Sequence, residues 1–366
     1  MTLWTPNRRT VLKAGAAAVA APYVIRPRDA FGAGEVNVWT YDNFLPEDFV
    51  AAFERDTGLE INQRLVNDQG AQFNLLAAEA PNPTADIVTV AGHRFRQFID
   101  SELLAPLETD RISSWSNIKP VFRDSDWMTV DGNLWGAPIL MGSEGLTYNT
   151  DYVSAEEADS WAVMFDETYR GRTAYIIQDF MSCVLLYLGY DGNMIEYLGD
   201  REAAEAAVNH VRDHLIEHKD MVRKYYDGAA EVQQMFINED IMLAQTWSGP
   251  AAKLIFDGFP VRYTIPKEGS FAFVYTLNVT NNGPNPEGAY RLLDALFADG
   301  AHGTAMTQAS GFASTMAGAD EGLSELERAA TSPSDEELER LVFFRAEANE
   351  LKYDLIDRAV EEVKAA

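Results

Sequence analysis

The chain has very little of three features that would define a class of protein. One of its 366 residues is cysteine, Cys183, so an intrachain disulfide framework is excluded. It has no run of eighteen uncharged apolar residues, so we expect no membrane-spanning helix in the mature protein. It has only 29 basic residues and 57 acidic ones. A surface with this excess of negative charge repels nucleic acid and anionic lipid. We therefore expect neither as a partner.

Motifs of the common enzyme classes are also missing. The sequence contains no GxSxG, no P-loop, no GxGxxG and no HExxH. Cys183 lies in the apolar stretch FMSCVLLYLGY, which predicts a small buried side chain rather than an activated nucleophile. We therefore expect a protein that is not an enzyme and that needs no cofactor.

The first residues carry a targeting pattern. NRRTVLK at 7–13 fits a twin-arginine motif, and the weakly apolar run AGAAAVAAPYVI follows it. The small residues Ala30 and Gly32 allow cleavage just before Ala33. The sequence therefore predicts a signal peptide over residues 1–32 and export by the twin-arginine machinery to the periplasm.

From Val36 onward, strand-like and helix-like segments alternate. VNVWTY, LEINQRLV and ADIVTV are typical of strands, whereas PEDFVAAFERDTG and GAQFNLLAAEA are typical of amphipathic helices. The segment from Leu134 to Val153 lacks a helical period and is expected to be extended. DREAAEAAVNHVRDHLIEHKDMVRKYY is predicted to be a long helical region, and the last thirty residues to be helical throughout. The alternation predicts an α/β fold.

Four stretches, in this order, give the chain a family resemblance. The chain is similar over nearly all of its mature length to the periplasmic binding proteins of spermidine/putrescine ABC transporters. The stretches are TYDNFLPEDFVAAFERDTGLEIN, WGAPILMGSEGLTYN, SWAVMFDETYRGRTAYIIQDFMSCVLLYLGYDGN and TWSGPAAKLIFDGFPVRYTIPKEGSFAFVYTLNV.

The resemblance implies the type II periplasmic binding protein fold, with a ligand cleft between two lobes joined by crossing strands. We expect lobe 1 to comprise residues 33–146 and about 275–318, and lobe 2 residues 147–274 and about 319–366. The resemblance also implies a permease and an ATPase as partners, and we expect the protein to be a monomer.

A polyamine needs carboxylates near its ammonium groups and aromatic faces along its methylene chain. The resemblance implies that Tyr41, Asp42 and Asn43 lie where family members hold the ligand with an aromatic, a polar and an acidic residue. A turn with incidental aromatics is the alternative for this stretch. Asp179 falls on a family carboxylate position that contacts amine, and Trp247 on an aromatic wall. We therefore expect these five residues to line the cleft.

Three aromatic positions depart from the family pattern. Tyr275 stands where the family has an amine-binding aspartate, and His93 stands where a ring-stacking tyrosine is usual. Phe312 replaces another tyrosine and so lacks its hydroxyl. We expect all three to face the ligand, with one carboxylate fewer than the family provides.

Two charged positions also depart from it. Glu144 is acidic where family members carry an uncharged residue, and it could supply a relocated carboxylate. Lys352 falls near a family glutamine that faces the ligand. A cation there would repel an ammonium group unless Glu144 or Asp42 paired with it. The alternative is that Lys352 is a surface residue.

The sequence leaves the ligand open. One hypothesis is that the ligand is a polyamine. A second is that it is a zwitterion such as an amino acid, a betaine or an aminophosphonate. Ferric iron is a third, because His210, His214 and His218 are spaced for one stripe of a helix. The tandem Tyr225-Tyr226 resembles an iron-binding pair but precedes the strand that the iron motif should follow. A sensor could also replace the permease as partner.

Overall fold

A computed structural model of the chain describes residues 34–66, 69–124, 128–345 and 347–366. The unit from Gly34 to Ala366 is compact. The predicted signal peptide lies outside the described residues. Across the described ranges, none of the helices is both long and apolar enough to cross a bilayer.

The strands are numbered in chain order. They are β1 (Gly34–Thr40), β2 (Leu59–Leu65), β3 (Ile87–Ala91), β4 (Thr129–Val130), β5 (Asn133–Leu134), β6 (Ala137–Asn149), β7 (Thr173–Tyr175), β8 (Val222–Tyr225), β9 (Leu243–Trp247), β10 (Val261–Thr264), β11 (Ser270–Val279), β12 (Ala313–Ser314) and β13 (Leu341–Phe343).

The α-helices follow the same convention. They are α1 (Glu47–Thr57), α2 (Gln69–Glu79), α3 (Phe95–Asp100), α4 (Pro120–Arg123), α5 (Ile177–Tyr187), α6 (Arg201–Glu217), α7 (Ala229–Ile237), α8 (Ser248–Phe256), α9 (Pro286–Phe297), α10 (Gly300–Ser310), α11 (Glu325–Thr331), α12 (Asp335–Glu339) and α13 (Asn349–Ala365). Short 3₁₀ turns lie at Gly92–Arg94, Thr109–Arg111, Ser113–Asn117, Glu157–Asp159, Trp161–Phe165, Glu167–Tyr169, Ile195–Tyr197, Lys219–Met221 and Ala319–Gly322.

One long strand connects two parts of the sheet. The strand order is β2-β1-β3-β11-β6-β9-β7-β8. The first part of β6 pairs antiparallel with β11, from Ala137 to Ser143. From Glu144 to Tyr148 the same strand pairs with β9 instead. Strand β6 therefore changes its pairing partner from β11 to β9 between Ser143 and Glu144; we call this point the β6 changeover.

Separate hydrophobic cores lie on either side of this changeover. Val36 and Val38 belong to one core and Trp39 to another, because successive strand residues point to opposite faces of the sheet. These two cores take residues from β1 to the first half of β6, and the first of them also takes residues 273–319. The other cores begin at Leu146 and Ala174. The predicted lobe boundaries remain a prediction.

Sequence signals at the ends of helices set several boundaries. Helix α1 ends at Gly58, whose φ of 69° suits a residue without a side chain. Helix α9 begins at the cap Asn285 with proline in its first turn. At α12 the Ser334 hydroxyl accepts from the Glu337 backbone, and the Glu337 carboxylate accepts from Ser334 in return. This reciprocal capping marks the start of α12.

Two segments predicted to be helical are strands. Val222–Tyr225 pairs parallel with β7, and Leu341–Phe343 pairs parallel with the start of β11. Each contains one β-branched and one aromatic side chain, types that fit a half-buried sheet position. The predicted long helical region therefore ends at Glu217, and helix α13 begins only at Asn349.

A tight backbone contact between α8 and α10 gives a test of the packing. Gly311, at φ 78°, ends α10, and a Cβ there would collide with the backbone of Gly249. We expect Gly311→Ala to cost about 1 kcal/mol for the left-handed conformation. Overpacking should cost about 1–3 kcal/mol more. Urea unfolding would measure both.

The matched control is Gly318→Ala. Gly318 has φ 80°, but a Cβ there would have open space around it, so only the conformational cost applies. Equal destabilisation by the two substitutions would contradict the close approach of the two helices.

Candidate ligand-binding site

Three of the residues predicted to bind ligand meet where β6 changes partners. Glu144 is the first residue of β6 to pair with β9, and it lies opposite Trp247. The Trp247 indole Nε1 donates to Asp179 Oδ2 at 3.1 Å. Asp179 is in the first turn of α5, where the helix dipole favours a negative charge. Strand register and one side-chain hydrogen bond thus bring two acids and an indole together.

A group of aromatic rings forms a wall near these acids: burial raises the pKa of Tyr275, and the charges of both acids add to the rise. The Tyr275 ring centroid lies 5.3 Å from that of Tyr41, 5.0 Å from Phe44 and 5.7 Å from Phe312. Phe273 contacts Tyr275 at 5.3 Å. Tyr41 and Tyr275 are half-buried, whereas the three phenylalanines are buried. The more accessible rings of this aromatic wall are therefore the two tyrosines, and the phenylalanines pack behind them in the core.

Asp42 and Asn43 lie differently from their neighbour Tyr41. Both are exposed, and the Asn43 amide donates to the Asp42 carboxylate at 3.2 Å. Asn43 has φ 65°, a conformation that asparagine tolerates in turns. The structure therefore shows a turn at these two residues and a ring in the aromatic wall at Tyr41. Their role in binding ligand remains a prediction.

Gln69 anchors the Tyr41 hydroxyl, although sequence reasoning missed it. Its Nε2 donates to the Tyr41 Oη at 2.8 Å and to the Thr89 carbonyl at 3.0 Å. Its Oε1 accepts from the Ala91 backbone at 3.1 Å. Gln69 thus fixes the ring against β3. The sequence offered no signal for this role beyond a glutamine just before the predicted helix GAQFNLLAAEA.

Lys352 is buried, so the alternative prediction that it is a surface residue is wrong. Its side chain lies on α13 and the residue is 2% exposed. The Nζ lies 4.9 Å from the Phe271 ring centroid and 5.0 Å from that of Phe344. These two rings stack on each other at 4.4 Å. Among the described residues the Nζ has no hydrogen-bond partner.

Burial lowers the pKa of Lys352 to about 8, and the charge of Glu144 is the largest effect opposing that shift. Of the two acids proposed from the sequence as its partner, Glu144 is the one whose field acts on Lys352. The Lys352 Nζ nevertheless makes no hydrogen bond to Glu144 within the described part of the chain.

The two acids share an environment short of positive charge. Glu144 is 2% exposed, and the Cys183 thiol donates to its Oε2 at 3.5 Å. Burial raises the pKa of Glu144 well above its usual range; Asp179 raises it further and Lys352 opposes the rise. Burial also raises the pKa of Asp179 to about 6, against the hydrogen bond from Trp247. A second positive charge here would stabilise both carboxylates.

His93 lies at the edge of this group. Its ring centroid is 5.0 Å from that of Phe344, and its backbone carbonyl accepts from the Asn349 amide at 3.1 Å. Burial lowers the pKa of His93 to about 3, so the ring is neutral at pH 7. His93 therefore packs beside the rings that surround Lys352 and connects the end of β3 to α13.

Comparison with known proteins identifies the family. Residues 48–336 match the family described as bacterial extracellular solute-binding protein. The chain belongs to this family.

Relatives of this solute-binding protein share about a fifth of their residues with it. The spermidine/putrescine-binding periplasmic protein 1 of Haemophilus influenzae is 20% identical over 264 residues, covering 71% of this chain and 69% of the relative. A putative spermidine/putrescine ABC transporter protein from Listeria monocytogenes has a TM-score of 0.77 at 21% identity, covering 91% and 99%. The Atu4243 GABA receptor has a TM-score of 0.68 at 18% identity, covering 89% and 96%.

These matches confirm several expectations from the sequence. The solute-binding protein has the α/β type II periplasmic binding protein fold. Its resemblance to the spermidine/putrescine-binding proteins is confirmed, and its relatives are transport proteins rather than enzymes. The solved structures are below 25% identity and establish the fold alone.

The five residues considered for ferric iron do not all come together at one point. Tyr226 is buried and its hydroxyl donates to the Gln245 carbonyl at 2.7 Å, whereas Tyr225 packs on Tyr175 at 5.4 Å. The two tyrosine hydroxyls therefore do not point to one common ion. His210 and His214 lie on α6, but His210 is engaged by the Tyr190 hydroxyl at 2.8 Å.

The buried ammonium of Lys352 predicts a specific pH dependence of stability. Its pKa is about 8 in the folded protein and 10.5 is its ordinary value, so the unfolded chain binds more protons between these values. The free energy of unfolding should therefore gain on the order of 3 kcal/mol from Lys352 as pH rises through this window. Lys352→Met should lack this gain.

Urea unfolding of the two proteins at a series of pH values from neutral to about 11 would measure the difference. Tyrosine ionisation affects both proteins and cancels in that difference. Lys364→Met, an exposed lysine on the same helix, is the control. Parallel profiles for wild type and Lys352→Met would show that Lys352 is not desolvated.

Proposed function

We propose that this protein captures a small amine, with putrescine and spermidine as the first candidates, in the cleft where β6 changes partners. It then delivers the solute to the permease and ATPase of an ABC importer. The observation that carries this proposal is the pair of acids, Glu144 and Asp179, beside an aromatic wall and short of positive charge.

An ammonium group would supply the positive charge and the further hydrogen-bond donors that Glu144 and Asp179 lack. It can donate hydrogen bonds to a carboxylate and bind over an aromatic face, and charge-assisted bonds of this kind are among the strongest in proteins. Glu144 and Asp179 would bind its charge, while Tyr41, Tyr275 and Trp247 would contact the methylene chain. Lys352 opposes the pKa rise of both carboxylates and Arg94 that of Asp179, but neither cation forms an ion pair with them among the described residues. An ammonium group would supply that direct contact.

Several relatives are named as polyamine-binding proteins, which supports the same ligand class. Capture would follow the opening and closing of two lobes, because Glu144 is buried and a solute can reach it only when the cleft opens. We place the hinge in the β6 changeover, at Ser143 and Glu144, close to the predicted lobe boundary.

A zwitterion is the second candidate, and one observation favours it. The Lys352 Nζ is buried with no acceptor in the described ranges, and a ligand carboxylate would supply one. The GABA receptor with the same fold is named for a ligand of this kind. In that case Asp179 would bind the ammonium end and Lys352 the acidic end.

Isothermal titration of the protein with putrescine, spermidine, GABA and glycine betaine would decide between the two. We expect saturable binding of a polyamine, and we expect Asp179→Asn or Glu144→Gln to weaken it by about 10–100-fold, the cost of losing one charge-assisted hydrogen bond. Asp257→Asn, which removes an exposed carboxylate outside the cluster, should leave the affinity unchanged.

Each outcome of that titration has a definite meaning. No heat with either polyamine would overturn the polyamine proposal. Binding of GABA that Lys352→Met abolishes would establish the zwitterion instead. Polyamine binding that Asp179→Asn and Glu144→Gln leave intact would show that the ligand lies elsewhere.

We also propose that the twin-arginine route exports the protein to the periplasm, from the motif at residues 7–13. Replacing Arg8 and Arg9 by lysine should leave the precursor in the cytoplasm, detected by cell fractionation and immunoblotting. Lysine at Arg26 and Arg28, the other arginine pair of this segment, is the control. Normal export of the Arg8 and Arg9 variant would exclude this route.

A further inference from the structure

We propose that the C-terminal end of α6 holds a divalent transition metal ion, with Zn²⁺ as the first candidate, on His214, Glu217 and His218. One nitrogen of each imidazole and one oxygen of the carboxylate lie within 4.8 Å of one another. This group shares no residue with the proposed ligand site, and the proposal does not depend on which solute is transported.

The hydrogen bonds leave the right atoms available. The His218 Nδ1 lies 2.9 Å from the His214 carbonyl oxygen. A carbonyl can only accept, so this nitrogen carries the proton and the His218 Nε2 keeps its lone pair. A backbone carbonyl that fixes the tautomer of a histidine is the usual support of a metal ligand.

His214 provides the second and independent observation. Its Nε2 is buried and has no hydrogen-bond partner among the residues that the structure describes. Such an atom costs free energy unless a partner is supplied, and a metal ion is one such partner. His210, one turn earlier, differs because its ring is engaged by the Tyr190 hydroxyl.

Packing holds the two rings on the same side of the helix end. The Phe165 ring centroid lies 4.5 Å from that of His214 and 5.1 Å from that of His218. The two imidazole centroids are 4.3 Å apart. The two imidazoles are therefore adjacent, as two ligands of one ion must be.

The donor set and its place suit a borderline divalent cation. Two imidazoles and a carboxylate are ligands that zinc takes, and three protein ligands leave a fourth position for water. With bonds of about 2.0–2.1 Å the donor atoms of a tetrahedral site lie about 3.4 Å apart. Rotation of the exposed Glu217 side chain would bring its oxygen closer, and the negative end of the α6 dipole adds attraction for a cation.

The test uses untagged protein, stripped with a chelator and returned to chelator-free buffer. Titration calorimetry with ZnCl₂ should show one equivalent bound, and Co²⁺ should give visible absorption bands that report the coordination number. A saturating excess of Zn²⁺ should raise the melting temperature by a few degrees, because an ion that binds only the folded state stabilises it.

Variants then assign the ligands. His218→Gln and Glu217→Gln should each weaken Zn²⁺ binding at least tenfold and reduce the shift in melting temperature. His210→Gln, on the same helix, should change neither. Since Glu217 is exposed, its substitution tests the site even if changes at His214 impair folding.

Three results would overturn the proposal. They are no stoichiometric binding of Zn²⁺ to the stripped protein, equal effects of His210→Gln and His218→Gln, and equally tight binding of Ca²⁺ at many equivalents, which would indicate the acidic surface alone. Titration with putrescine in the same variants keeps this test separate from the proposed transport function.

Discussion

The fold depends on the hydrogen bonding of one strand. Strand β6 pairs with β11 over its first half and with β9 over its second, without a break in the thirteen-residue strand. Because both halves of the sheet use this backbone, the strand fixes where they meet. The register between β6 and β9 places Glu144 directly opposite Trp247 at that junction.

The charges at the junction are the reason that we propose a ligand site in this region. A buried acid normally has a cation or several donors, and removing such partners is costly. Within the described ranges Glu144 has only a thiol donor, while Lys352, which could have been its partner, lies against two aromatic rings. Both groups keep capacity for a charged solute, which is what the proposed binding site requires.

Residues that lie close together in the sequence could largely be predicted from it. The strand at Ala137–Asn149, the stop of α1 at Gly58 and the start of α12 follow from local pattern and capping chemistry. The helical predictions at 222–225 and 341–343 were wrong because the strands there are stabilised by pairing with β7 and β11, and these partners are distant along the chain. The candidate site was divided in the same way: the sequence predicted Asp179 and Trp247 individually but not the hydrogen bond between them.

By itself, the sequence determined the α/β class, the family resemblance and the types of side chain available for a cationic ligand. These follow from periodicity and from motifs that are contiguous in the chain. The tertiary structure decided that Lys352 is buried, that Glu144 rather than Asp42 acts on it, and that Gln69 holds Tyr41. Each of these depends on the pairing of distant elements, and periodicity shows which face of an element is buried but not which element covers it.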